Sequence, residues 1–141
     1  MRSKEDSGIV FVKLEDGEDL FESLSKVARK HGISSGIIVN GIGMLSDTKL
    51  GHFMGEGHYD ETVFKEPLEL TSLSGNIAEK DGEAVFHVHA NMSDQEKRVH
   101  GGHLISGTVH VANEISILRT DSIRLSRKKS EATGLLSLEV G

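Results

Sequence analysis

The chain has 141 residues, a formal charge of −6 and a pI near 5.7, with 36% apolar and 27% charged residues. That length and balance suit one globular domain spanning 1–141, and the acidity argues against a protein that holds nucleic acid mainly by neutralising phosphates. With no cysteine there is no disulfide framework and no thiolate ligand or nucleophile.

The N-terminus, MRSKEDSGIVFVKLEDG, lacks the apolar run of a signal peptide, and nowhere do 18 apolar residues follow one another. The expectation is a soluble, cytoplasmic protein. IVFVKL (9–14), β-branched and apolar, predicts a first strand ending at Asp16-Gly17. Leu20, Phe21, Leu24, Val27 and Ala28 then share one face of a helix over about 17–31. Asp16 is its expected cap, and Lys30-His31-Gly32 its end. SSGIIVNGIGMLSDTKLGHFM predicts two strands, about 34–41 and 47–54, bent by Gly41 and Gly43. LELTSLSGNIAEK (68–80) and EAVFHVHANM (83–92) form a hairpin turning at Asp81-Gly82. HLISGTVHVANEISILRT (103–120) predicts two more strands, with a break near Ala112-Asn113. Residues 122–130, SIRLSRKKS, are basic and suit a solvated surface turn; TGLLSLEV supplies a last strand. The sum is an α+β domain with a central, mainly antiparallel sheet of seven or eight short strands and one main helix packed on it.

Eight histidines are unusually many, and five of them lie between 87 and 110. Strand residues i and i+2 share a face, so His87 and His89 project together, about 6–7 Å apart at the backbone, while Phe86, Val88 and Ala90 turn to the core. Val99-His100-Gly101-Gly102-His103 brings a third imidazole back beside them, with two glycines for a sharp turn and close approach. On spacing alone the third ligand is His103 or His100. Three imidazoles without cysteine suit Zn(II), with another divalent transition metal as the alternative. Three protein ligands leave a coordination position open, so a small zinc-dependent hydrolase or lyase is one functional reading. Its acid or base would come from Glu114, Asp94 or Glu96 by residue type, although the spacing places none of them in the site. His31 reads as a helix C-terminal cation, His52 and His58 as solvent-facing, and His110 as facing away from His103.

The stretch HVHANMSDQEKRVHGGHLISGTVHVANEISI, with Asn40-Gly41-Ile42-Gly43, SLSGN at 72–76 and Thr133-Gly134-Leu135, resembles the PPC (plants and prokaryotes conserved) domain over nearly the whole chain. The resemblance implies a homotrimer and a metal, thought to be zinc, on His87, His89 and His103. It thereby selects His103 over His100. It also implies a regulatory or assembly module related to the domain that follows AT-hooks in plant nuclear DNA-binding proteins. The AT-hook core Arg-Gly-Arg, which inserts into the minor groove of A·T-rich DNA, is absent here. A cupin also carries His-x-His, but Glu96 comes too late for that pattern. In a trimer, Ile105, Val109, Val111, Ile115 and Ile117 would be divided between core and interface.

Overall fold

In the computed structural model, which describes residues 1–141, one helix and nine strands follow in the order β1 (Arg2–Asp6), β2 (Ile9–Glu15), α1 (Leu20–His31), β3 (Gly36–Gly55), β4 (His58–Phe64), β5 (Leu68–Lys80), β6 (Glu83–Ser93), β7 (Val99–Arg119), β8 (Leu125–Lys129) and β9 (Leu136–Val140). The α+β class and the mainly antiparallel sheet are as expected. Every pairing is antiparallel except β5 with β8. Although two expected pairs merge, the strand count exceeds the expectation, because HYDETVF forms an unexpected β4 and RSKED and LSRKK form β1 and β8. The polar side chains of β1 and β8 show little apolar alternation, and backbone pairing to β2 and β9 holds them in place.

The helix begins three residues later than expected. Asp19, not Asp16, is the cap, and its Oδ1 accepts the Glu22 N–H at 2.8 Å. Asp16 instead accepts the Val111 N–H at 2.7 Å, tying the end of β2 to β7. Gly32 closes the helix in the left-handed region, as anticipated. Leu20, Leu24, Val27 and Ala28 are buried on the sheet, and Phe21 meets Phe86 at the edge with 6.3 Å between ring centroids.

Two expected pairs of strands are each a single bent strand. β3 runs for 20 residues and absorbs its bends as register shifts at Ile38–Asn40, Gly43–Met44 and Ser46–Lys49. The break near Ala112-Asn113 is a bulge: Met44 pairs with His110, but Gly43 pairs with Asn113, leaving Val111 and Ala112 as the extra residues. Val111 has φ of 63°, costly for a β-branched residue. The Asn113 amide nitrogen donates to the Met44 and Ala112 carbonyls, which holds the bulge from inside.

β3 pairs with β5 and β7, and β6 pairs with the same two strands, so β3, β5, β6 and β7 close a ring. Its inward residues join α1 in one core of 22 buried residues, including Leu45, Leu73, Ile77, Val88, Met92 and Leu104. Fully burying such a side chain contributes about 1.5–3 kcal/mol. Of the five residues whose allocation was open, Val109, Ile115 and Ile117 are core, Ile105 is half-buried and Val111 is 64% exposed. No helix is long and apolar enough to cross a membrane.

Candidate metal centre

Closure of the ring assembles the histidines. β6 alternates as the parity argument requires: Val88, Ala90 and Met92 are buried, while His87 and His89 stand on the outer face. Where β6 meets β7, His89 and His103 are direct cross-strand partners. Ring centroids lie 5.1 Å apart for His87–His89, 5.2 Å for His87–His103 and 5.5 Å for His89–His103. One ring nitrogen from each falls within 4.8 Å of the others. Gly101 and Gly102 do not make a turn. They lie inside β7, where a Cβ on Gly102 would come within 3.0 Å of the Gly51 carbonyl oxygen, so the pair serves close packing alone.

His100 lies on the opposite face of β7, its Nε2 3.1 Å from Asp94 Oδ2 and its ring against Phe64. The structure therefore brings His87, His89 and His103 together and leaves His100 out. His52 and His58 are exposed, His110 is 3.8 Å from Asp16, and His31 bonds the Ser3 hydroxyl at 2.9 Å beside Glu5.

The electrostatics suit ligation of a cation. Burial first, then the charge of Arg127, His103 and His89, pushes the His87 pKa down to about 4. Burial and the neighbouring His89 lower that of His103. Both imidazoles are therefore neutral at pH 7, as a metal ligand must be. His103 Nδ1 is buried and has no hydrogen-bond partner. A buried nitrogen left unpaired costs about 1–3 kcal/mol, and a coordinated ion would satisfy it.

Beside the cluster lies a cavity of about 270 Å³ lined by Tyr59, His87, His103, Arg127, Leu135 and Leu136 among others. The Tyr59 ring lies 5.1 Å from that of His103. The cavity went unforeseen because the walls that face the histidine strands come from elements that carried no chemical signal. Tyr59 arrives on β4 through a bulge at the β3–β4 turn, and Arg127 belongs to the basic run expected to be a solvated turn. A hint existed in Leu125-x-Arg127, since strand parity turns both inward, and Leu125 is buried. Glu114 lies opposite Lys13 on another face, and Asp94 and Glu96 pair with Arg98. None of the three lines the cavity. A larger concavity, about 750 Å³, contains none of the histidines.

Similar proteins share this architecture. A protein of Archaeoglobus fulgidus described as metal-containing superposes with a TM-score of 0.85 at 30% identity, over 94% of each chain. A plant- and prokaryote-conserved (PPC) protein of Pyrococcus horikoshii gives 0.81 at 32% identity, over 96% of this chain and 93% of its own. A Bacteroides thetaiotaomicron protein, described provisionally as DNA-binding, gives 0.90 at 26% identity, over 98% and 96%. The bifunctional GlmU proteins of two Synechococcus strains are 30% identical over 130 residues, 92% of this chain but 20% of theirs. The chain thus spans about a fifth of the length of these curated relatives. Residues 1–120 match the Plants and Prokaryotes Conserved (PCC) domain, and the chain belongs to that family.

Proposed function

We propose that this protein is a homotrimeric, cytoplasmic metal-binding module in which His87, His89 and His103 hold a divalent transition metal, zinc first. The observation that carries the reading is the convergence of three ring nitrogens, one from each histidine, within 4.8 Å, on imidazoles of which His103 also has a buried Nδ1 without a partner. Nitrogen donors without thiolate suit zinc, and the Archaeoglobus relative is described as containing metal. With three protein ligands, a bound ion would supply a Lewis-acid position open to an outside donor. The residues themselves contribute neutral imidazoles, fixed by strand register and backed by the core.

Assembly has its own support. Ile9, Leu118 and Ile37 form one cross-strand row on the outer face, next to a row of Phe11, Ser116 and Asn40. Phe11 is 65% exposed, and Val39 and Ile42 extend the apolar surface. A contiguous apolar patch of this kind marks an association surface. The likeness to a fifth of the GlmU proteins supports a module that is also joined to other domains.

Metal content of the purified protein, by plasma mass spectrometry, should be close to one ion per chain and should fall to background in His89→Ala. Unchanged metal in that variant and in His87→Ala overturns the site. Light scattering should give three times 15.3 kDa; a monomer at micromolar concentration overturns the assembly.

The neighbour described provisionally as DNA-binding favours a second reading, contact with duplex DNA through exposed Arg124, Lys128 and Lys129. Such binding would weaken steeply with salt, and its absence at low salt removes the reading. Use of the site for hydrolysis or a lyase step would require a proton carrier among its walls, where Tyr59 is the one non-histidine acid.

A further inference from the structure

Arg127 stands in the cavity wall as a cation with neutral partners. Its Nη2 donates to Asn76 Oδ1 at 2.6 Å and its Nη1 to the Leu136 carbonyl at 3.0 Å, and it forms no ion pair. Burial lowers its pKa without approaching neutrality, since no neighbouring charge supports the cation and arginine stays protonated in proteins. No carboxylate lines the cavity. The two bonds clamp the guanidinium between β5 and β9 and leave three of its five N–H donors for another acceptor.

We propose that this cavity binds a small monocarboxylate with a short apolar body, the carboxylate held by Arg127 in front of the histidine cluster and the body against Leu135 and Leu136. The proposal rests on the metal reading above for the second cation that would face the anion, but Arg127 and the apolar wall act without it. Several observations select this class. A half-buried guanidinium with only neutral partners is a ready acceptor site for an anion, and its fork matches a carboxylate. Tyr59 lines the same cavity, its ring 5.1 Å from that of His103. The leucines would gain nothing from an inorganic phosphate, whose whole surface is polar, and would be covered by a hydrocarbon body. Size sets the upper limit: about 270 Å³ is some nine water volumes of about 30 Å³, enough for a benzoate with a few waters beside it and smaller than most drug-sized sites.

The test uses benzoate, benzamide and inorganic phosphate, each titrated calorimetrically into the intact chain with and without one equivalent of zinc. Benzoate should bind at least tenfold more tightly than benzamide or phosphate, and zinc should strengthen it. Arg127→Met, which keeps much of the stem and loses the charge, should weaken benzoate about ten- to hundredfold, the range of a charge-assisted hydrogen bond. Arg127→Lys should recover part of that loss. Zinc stoichiometry and the circular dichroism spectrum should be unchanged in both, which separates loss of the anion site from loss of the fold. If the arginine variants misfold, the wild-type preference for benzoate over its neutral amide still decides. Equal binding of benzoate and benzamide, or of benzoate to wild type and Arg127→Met, overturns the proposal. A chain that binds no zinc yet retains the Arg127-dependent preference overturns the metal reading alone. Tighter binding of phosphate than of benzoate overturns the carboxylate assignment.

Discussion

Replacing His103 with alanine tests whether the ring of strands creates a metal site that the unfolded chain lacks. His87 and His89 are two residues apart on β6, but His103 reaches them through cross-strand pairing with His89. A ligand that binds only the folded state stabilises it by RT ln(1 + [L]/Kd), about 2.7 kcal/mol at a hundredfold excess over Kd. Unfolding entropy of about 2.1 cal/mol/K per residue gives about 0.3 kcal/mol/K for a chain of 141 residues. Zinc should therefore raise the wild-type Tm by about 9 °C relative to chelator-treated protein. In His103→Ala the same addition should shift Tm by less than about 2 °C, because two imidazoles on one strand hold an ion far less well than three. Without metal the variant should lie within about 1 kcal/mol of wild type, since losing an unpaired buried Nδ1 offsets the lost contact with the Tyr59 ring. Differential scanning calorimetry with and without chelator reads all of these. An undiminished zinc shift in His103→Ala would refute the reasoning.

Three other outcomes follow from particular contacts. Asp94, bonded by His100 and then by Arg98, has its pKa held down to about 2. A carboxylate depressed in the folded state contributes stability that is complete above its unfolded value near 3.8 and is lost as pH falls through about 2. Carboxyl carbon NMR should show Asp94 still ionised at pH 3, and a midpoint near 4 would contradict it. Leu73→Ala opens the fully buried wall against which Gly41 packs, and should lower unfolding free energy by about 2–5 kcal/mol in urea titrations. Phe11→Glu, on the exposed apolar face, should reduce the light-scattering mass of the assembly while the variant keeps the wild-type circular dichroism spectrum; an unchanged mass argues that association uses another face.

Local patterns in the chain carried much of this molecule. The helix face, the Gly32 stop, the Asp81-Gly82 hairpin and the common face of His87 and His89 each depend on residues a few positions apart, so periodicity and turn chemistry suffice to read them. Residue-level reasoning put His103 forward with His100 as its competitor, and family resemblance selected His103 before the structure did. The physical separation is one of register: pairing of His89 with His103 puts His100 on the far face, bonded to Asp94. Register is a property of two strands, and neither strand encodes it alone.

What only the tertiary structure decided is of the same kind. The merging of expected strands into β3 and β7 depends on bulges, which local sequence reads as breaks. Closure of β3, β5, β6 and β7 into a ring determines which histidines meet. The cavity beside them is closed on the side opposite β6 and β7 by residues of β4, β8 and β9, outside the histidine strands, and so Arg127 reads as one more surface cation until β8 turns it inward. Histidine identity and spacing supplied the donors for a metal, because two of them share one strand face. The third donor, its buried nitrogen and the arginine at its side exist as a site only where long-range pairing sets them side by side.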